Sequence, residues 1–141
     1  MDNLVELTVD ECLALLRRKP VGRVAMVTPA GLRILPVSYS VVDERIVFRT
    51  LPYGEIANNV ADAEVAFEVD DLDEELRHGW SVMAAGPCHR IEDPDEVHLV
   101  HATADPQPWV DGQRNLYFRI DWTTLTGRQV GIAGRPSLVG S

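Results

Sequence analysis

The sequence predicts a mainly β (α+β) protein, a small antiparallel β-barrel of about six or seven strands with short peripheral helices. Apolar and polar residues alternate in most segments after residue 20, as they do in strands with one buried face. The first connections between these segments are too short for the crossover helices of a parallel sheet. The chain has 141 residues, of which 45% are hydrophobic and 25% charged. We therefore expect one domain over residues 1–141, with an ordered core from about residue 5 to 133.

A helix is predicted near the start of the chain. Thr8 and Glu11 have the T-x-x-E spacing of a capping box, and Leu7 is placed to pack against Cys12 as a hydrophobic staple. Pro20 cannot continue a helix, so the helix should end before it.

Three strands in a meander should follow, at 21–28, 32–42 and 46–50. The turn sequence Pro29-Ala30-Gly31 and a tight connection at 42–45 separate them. A short helix is expected at about 55–60.

The second half of the chain predicts further strands around one more helix. Pro94 suits the first position of that helix, which should run to about residue 103, and Gly86-Pro87 suggests a kink or bulge in a long strand. The expected segments are a strand at 63–69, an acidic loop at 70–75, a strand at 79–91, an irregular segment at 105–109, a strand at 115–120, a connection at 124–128, a strand at 129–133 and a frayed tail at 134–141.

Composition excludes several classes of function. A net charge of −9 disfavours nucleic acid and anionic membranes as partners, although a small anionic ligand needs only a local basic site. No apolar run is long enough to span a membrane, and the start of the chain lacks the pattern of a secretory signal. Cys12 and Cys88 fit two reduced, buried thiols, so we expect a cytoplasmic protein.

The segment 45–57 carries the clearest functional signal. A predicted strand ends in Arg49 and Thr50, and a Pro/Gly turn then leads into a short helix. A guanidinium, a hydroxyl and free backbone N–H groups together suit a phosphate. The residues alone leave two alternatives open: Arg49 could be solvated or paired with the acidic 70–75 segment, and Thr50 could simply be a cap.

A metal site is not expected. His98 and His101 share one helix face, but no third ligand is evident, so a structural or solvated pair is favoured. The acidic run at 70–75 lacks the glycine and glutamate positions of a calcium-binding EF-hand loop.

Six short blocks, taken in order, support a resemblance to a known family. They are Gly-Arg-Val-Ala at 22–25, Leu-Pro-Val-Ser-Tyr at 35–39, Ile-Val-Phe-Arg-Thr at 46–50, Val-Ala-Phe-Glu-Val-Asp at 65–70, Gly-Trp-Ser-Val at 79–82 and Thr-Gly-Arg at 126–128. With this order and spacing the chain resembles the FMN-binding split β-barrel family that includes pyridoxamine 5'-phosphate oxidase-like proteins, particularly the small actinobacterial-type members.

The resemblance implies a homodimer with two flavin sites at the subunit interface. It implies that Arg49 and Thr50 hold the FMN phosphate and that backbone groups near Pro36, Val37 and Ser38 lie along the isoalloxazine ring. A deazaflavin coenzyme is the less favoured cofactor, and absence of any cofactor is a third alternative.

The resemblance also implies that Trp80 and Ser81 line the site and that Arg128 reaches it from the other subunit. From the residues alone, Trp80 fits the barrel core equally well, and Arg128 reads as a surface residue of a turn.

One residue departs from the family pattern. Relatives usually carry a lysine where this chain has Glu55, five residues after Thr50. The exchange removes a charge-assisted bond worth about 1.5–3 kcal/mol. It can add repulsion of roughly 1–4 kcal/mol at the dielectric of a protein surface.

Two classes of function follow. The first is a flavin-dependent oxidoreductase that passes hydride to an unidentified small-molecule acceptor. The flavin carries that chemistry, so no catalytic side chain is named. The second is a non-catalytic split-barrel dimer with weakened or lost flavin binding, which acts as a ligand-binding or interaction protein; Glu55 favours this class. Oxidation of pyridoxamine phosphate itself is not expected, because the basic residues for a second phosphate are not found.

Overall fold

The computed structural model describes residues 4–106 and 116–131. The elements in chain order are β1 (Val5–Glu6), α1 (Val9–Leu16), β2 (Val21–Thr28), β3 (Gly31–Val42), β4 (Arg45–Thr50), α2 (Glu55–Val60), β5 (Ala63–Asp73), β6 (His78–Arg90), α3 (Pro94–Thr103), β7 (Leu116–Ile120) and β8 (Thr124–Val130). None of the helices within these ranges is long and apolar enough to cross a membrane.

Six strands form a closed antiparallel barrel. Their order is β6-β5-β2-β3-β4-β7, and β7 returns to pair with β6, so the sheet closes on itself. β8 pairs with the other part of β6, and β1 pairs with β8, which adds two strands outside the closed ring. The predicted mainly β barrel is therefore confirmed.

Aromatic rings fill the barrel interior. Phe48 and Phe118 stack with ring centroids 5.6 Å apart, and Tyr39 meets Phe67 edge-on at 4.9 Å. The Tyr39 hydroxyl donates a hydrogen bond to the Leu16 carbonyl at 2.5 Å and so ties α1 to β3. These side chains are almost completely buried, and they form one core with the apolar face of α1.

The first helix agrees with its sequence pattern. The Thr8 hydroxyl accepts from the Glu11 N–H, and the Glu11 carboxylate accepts from the Thr8 N–H, which is the predicted capping box. The helix ends at Leu16, before Pro20.

The last strand corrects the sequence-based prediction. Residues 124–128, predicted as a connection, form most of β8 and pair with β6, whereas residues 132 and 133 lie outside the described residues. Gly127 suggested a turn, but its actual role is close packing. A Cβ on Gly127 would lie 2.7 Å from the Cys12 Sγ, so glycine lets α1 approach the strand.

The predicted acidic loop is also mostly strand. β5 continues to Asp73, which pairs with His78, so residues 70–73 belong to a hairpin that extends past the barrel. Carboxylates are tolerated there because the far end of the hairpin is exposed on both faces.

Gly86-Pro87 marks a change of partner rather than a bulge. The register of β6 with β5 runs unbroken through both residues, but on its other edge β6 leaves β8 and joins β7. The connection from β7 to β8 crosses at this point. A Cβ on Gly86 would lie 2.6 Å from the Asp121 carbonyl oxygen, so the crossing requires glycine.

The third helix lies on the outside of the barrel. Pro94 stands in its first turn, as predicted, and the Asp93 side chain caps it by accepting from the Asp95 N–H at 2.9 Å. Val100 on α3 packs with Val47 of β4 and Tyr117 of β7 in a second, smaller apolar cluster. This packing brings the end of α3 next to Arg49. The predicted irregular segment 105–109 is described only to residue 106, and the predicted tail 134–141 lies outside the described residues.

Candidate functional site

The predicted site residues fall into two groups on the barrel. The first group lies on β3 and at the end of β4, where Ser38 is directly opposite Arg49. The second lies on β6 and β8, where Ser81 is opposite Arg128. Within one chain, β2 and β5 stand between the two groups on one side of the barrel, and β7 stands between β4 and β6 on the other. One chain therefore does not bring all eight predicted residues together.

Most of these side chains nevertheless lie on the same outer face. Residues opposite one another in register share a face of a sheet. Pro36 on β3 is opposite Arg23 on β2, and Arg23 is opposite Glu68 on β5. Asp70, two residues after Glu68 and therefore on the same face, is opposite Ser81 on β6. The outer face is thus continuous from the first group to the second.

Three predicted residues have different placements. Val37 and Trp80 are 5% and 3% exposed and belong to the barrel core, so the core alternative left open for Trp80 is the one observed. Thr50 is half-buried at the end of β4, opposite Leu116.

Arg49 is held in a largely buried position. Its side chain is 17% exposed, and its Nη1 donates to the Asp105 Oδ1 at 3.3 Å and to the Pro106 carbonyl at 3.0 Å. The guanidinium also lies over the Tyr117 ring, 5.0 Å from the centroid. The sequence-based alternative of a pairing with the 70–75 segment is wrong, since the carboxylate partner comes from the segment after α3.

Asp105 connects several elements. Its Oδ1 accepts from the Tyr117 hydroxyl at 2.9 Å, and its Oδ2 lies 3.2 Å from the His101 Nδ1. Burial, followed by this hydrogen bond to Asp105, raises the pKa of Tyr117 to about 12, so the hydroxyl remains a donor at neutral pH. His101 contacts both Asp105 and the Tyr117 hydroxyl, and these contacts fit a structural role for this histidine.

One donor of Arg49 is unsatisfied. Its Nε is buried and has no hydrogen-bond acceptor among residues 4–106 and 116–131. A buried donor without a partner costs about 1–3 kcal/mol. A phosphate offers several oxygens to a guanidinium fork. The donors at the end of β4 therefore fit a phosphate-bearing ligand such as a flavin nucleotide.

Glu55 is not free in solvent. Its Oε1 lies 3.3 Å from the Arg33 Nε in β3, and both side chains are partly exposed. Arg33 thus offsets the negative charge of Glu55. The sequence reasoning missed this pair because the two residues belong to different elements.

An acidic pair lies on the outer face between the two groups. The Arg23 Nη1 is 3.5 Å from Glu68 and 3.9 Å from Asp70. Burial, then the hydrogen bond with Asp70 and repulsion from it, raises the pKa of Glu68 to about 7, although Arg23 opposes the shift. Near neutral pH, the Glu68 carboxyl is therefore partly protonated, and Arg23 is the cation nearest to it on this face.

The model of the pyridoxamine 5'-phosphate oxidase family matches residues 8–129, most of the chain. The chain belongs to this family. The resemblance proposed from the six sequence blocks is therefore confirmed.

The chain is also similar to individual proteins from bacteria. A Mycobacterium tuberculosis protein of uncharacterised function is 35% identical over 136 residues, which cover 90% of this chain and 86% of that protein. The structure of an FAD-binding protein from Mycobacterium smegmatis has a TM-score of 0.81 at 26% identity, covering 92% of this chain and all of the other. An FAD-binding protein from Mesorhizobium loti shares the fold, with a TM-score of 0.71 at 20% identity over 91% of this chain and 99% of that protein.

The raised pKa of Glu68 predicts a pH-dependent stability. Because the folded-state pKa, about 7, exceeds the ordinary value of 4.5, the protonated carboxyl favours the folded state. This contribution is complete below pH 4.5 and is lost as the pH rises through 7. We expect the Tm of the wild type to fall more between pH 5 and 7 than that of Glu68→Gln, measured by thermal unfolding. Glu64→Gln, at an exposed position on the same strand, is the control and should follow the wild type; equal slopes in all three proteins would contradict the prediction.

Proposed function

We propose that this protein is a flavin-dependent oxidoreductase that binds the phosphate of FMN at Arg49 and passes hydride to a small-molecule acceptor. The observation that carries the proposal is the largely buried Arg49 at the end of β4, with a guanidinium donor that has no acceptor among the described residues. Membership of the pyridoxamine 5'-phosphate oxidase family and the structural likeness to an FAD-binding protein support a flavin as the ligand.

The chain's residues would divide the work of binding. Arg49 and Thr50 would bind the phosphate, and the backbone of β3 from Pro36 to Ser38 would lie along the flavin ring. Bound flavin would supply hydride transfer, and the protein would orient it and exclude water. A terminal phosphate offers three oxygens to the guanidinium, which is why FMN is proposed; FAD, the ligand named for two structural relatives, is the alternative that a titration separates.

A second copy of the chain would complete the site. Within one chain, β3, β2 and β5 separate Arg49 from Ser81 and Arg128 on one side of the barrel, and β7 lies between β4 and β6 on the other; Arg128 is exposed. In a homodimer these residues of one subunit can meet the Arg49 group of the other. Trp80, in the core beneath them, would fix the position of β6.

An exposed apolar strip on the outer face supports the homodimer. Val27, Leu32 and Ile34 are 67%, 80% and 67% exposed, and they lie side by side on β2 and β3. Beside Ile34 the outer face continues through the small residues Ala25 and Ala66. An exposed apolar surface of this kind is typical of a protein interface.

The state of the cysteines and the net charge indicate the cellular compartment and the kinds of partner. Cys12 and Cys88 are free and buried, as in proteins of a reducing compartment, so we place the activity in the cytoplasm. The net charge of −9 leaves nucleic acid and membrane surfaces out of the proposed partners.

The flavin proposal is tested by titrating FMN, riboflavin, FAD and a deazaflavin coenzyme into the purified protein and following fluorescence. We expect FMN to bind more tightly than riboflavin, which lacks the phosphate. In Arg49→Ala this preference should shrink by about ten- to a hundredfold, because a charge-assisted bond is lost. Arg90→Ala, which removes an exposed arginine paired with Glu92, is the matched control. If none of these ligands binds the wild type, the non-catalytic dimer becomes the better proposal.

The substitution Glu55→Lys tests the departure from the family pattern. A lysine at the start of α2 should add a cation near the phosphate and release Arg33, so FMN should bind more tightly, by about tenfold. Glu74→Lys, in the exposed turn between β5 and β6, makes the same change of net charge away from the site. Unchanged affinity in Glu55→Lys would show that this side chain does not face the phosphate.

The homodimer is tested by Ile34→Asp. A carboxylate in the apolar strip should shift the protein from dimer to monomer in sedimentation velocity experiments and weaken flavin binding along with it. Leu99→Asp, on the exposed side of α3, should leave the dimer intact. A wild-type protein that sediments as a monomer at all concentrations would refute the proposed assembly.

A further inference from the structure

We propose that Asp105 is an internal substitute for the anionic ligand of Arg49, and that a phosphate monoester binds by displacing this carboxylate from the guanidinium. The inference deepens the proposed function and rests on its phosphate site. It assigns to Asp105 the role of setting how tightly that site holds a phosphate.

The contacts of Arg49 place Asp105 where a ligand oxygen would be expected. The Asp105 Oδ1 and the Pro106 carbonyl both accept from the same Nη1, at 3.3 and 3.0 Å. A carboxylate and a phosphate oxygen compete for such donors because both are anionic acceptors of a guanidinium fork. The positive charge of Arg49 is thus already offset within the chain.

The geometry of the Arg49–Asp105 ion pair is compatible with its replacement by a phosphate. The contact from Arg49 to Asp105 is longer than the roughly 2.7–2.9 Å typical of charge-assisted hydrogen bonds. It also leaves the buried Nε of Arg49 without an acceptor among the described residues. A phosphate, with more oxygens than a carboxylate, can satisfy donors that Asp105 does not reach.

The displaced carboxylate would retain other partners. Tyr117 donates its hydroxyl to the Asp105 Oδ1 at 2.9 Å, and the His101 Nδ1 lies 3.2 Å from the Oδ2. Neither of these two contacts involves the Arg49 guanidinium. Ala104 caps α3 through its N–H bond to the Val100 carbonyl, but Asp105 and Pro106 follow the cap and belong to no helix or strand, so a small movement of Asp105 does not break a regular element. Asp105 can therefore leave Arg49 without becoming an unpaired buried charge.

The opposite role for Asp105 gives an opposite result. If the carboxylate instead fixed Arg49 in the orientation that binds phosphate, removing its charge would weaken binding. Asp105→Asn separates the two roles, because the amide keeps the size and an acceptor oxygen for Tyr117 but loses the negative charge.

The experiment measures FMN and riboflavin affinity in the wild type and in Asp105→Asn. We expect Asp105→Asn to bind FMN about tenfold more tightly and riboflavin equally well. Asp62→Asn, which removes a carboxylate contact to His89 elsewhere on the barrel, is the matched control and should change neither. Where FMN binds the wild type, unchanged or weaker FMN binding in Asp105→Asn would overturn the inference.

A second arm separates this inference from the proposed function. Inorganic phosphate alone is titrated while the Arg49 Nε–H resonance is followed by NMR and the Tm by thermal unfolding. We expect phosphate to shift this resonance and raise the Tm at lower concentration in Asp105→Asn than in the wild type. If phosphate does so but FMN does not bind, the flavin function fails and the inference stands. If phosphate affects both proteins equally, or neither, the inference fails, whatever the result with FMN.

Discussion

The closure of the barrel by β7 is the constraint on which the rest of the structure depends. β7 pairs with β4 on one edge and with β6 on the other, so it joins the two ends of the strand order. It places Phe118 against Phe48 in the core and, one residue earlier, places Tyr117 opposite Arg49 on the outer face. The same five residues therefore complete the apolar interior and form one wall of the candidate site. Since successive side chains of a strand point to opposite faces, different residues of β7 face the core and the candidate site.

Much of the fold could be predicted from local patterns. Alternation of apolar and polar residues located the strands from β2 to β4, and the capping box located α1, because both signals come from residues close together in sequence. The errors arose where a residue type had more than one physical use. Gly127 resembled a turn residue but serves a close contact with α1, and the carboxylates from residue 70 onward resembled a loop but lie on an exposed hairpin.

The candidate site was predictable only in part. The end of a strand predicted Arg49 as a candidate anion-binding residue, and the structure shows it largely buried with a guanidinium donor unsatisfied among the described residues. Its partner Asp105 was not predicted, because the two residues are 56 positions apart in the sequence. Asp105 also lies in an irregular segment after α3, where no sequence motif indicates a contact. The same limit applies to Arg33 and Glu55. Ion pairs between distant elements depend on tertiary geometry, which local sequence does not reveal, and here they set the charge that a ligand would meet.

The pairing of β7 with both β4 and β6 also has a consequence for synthesis on the ribosome. The strands from β2 to β6 can form hairpins as they emerge, but the barrel cannot close until residues 116–120 have left the exit tunnel. Until then the edges of β4 and β6 are unpaired, and exposed strand edges promote association between nascent chains. The partnership of β1 with β8 comes later still, since it joins residues from opposite ends of the chain. The barrel therefore remains open along the edges of β4 and β6 until β7 can pair with both of them.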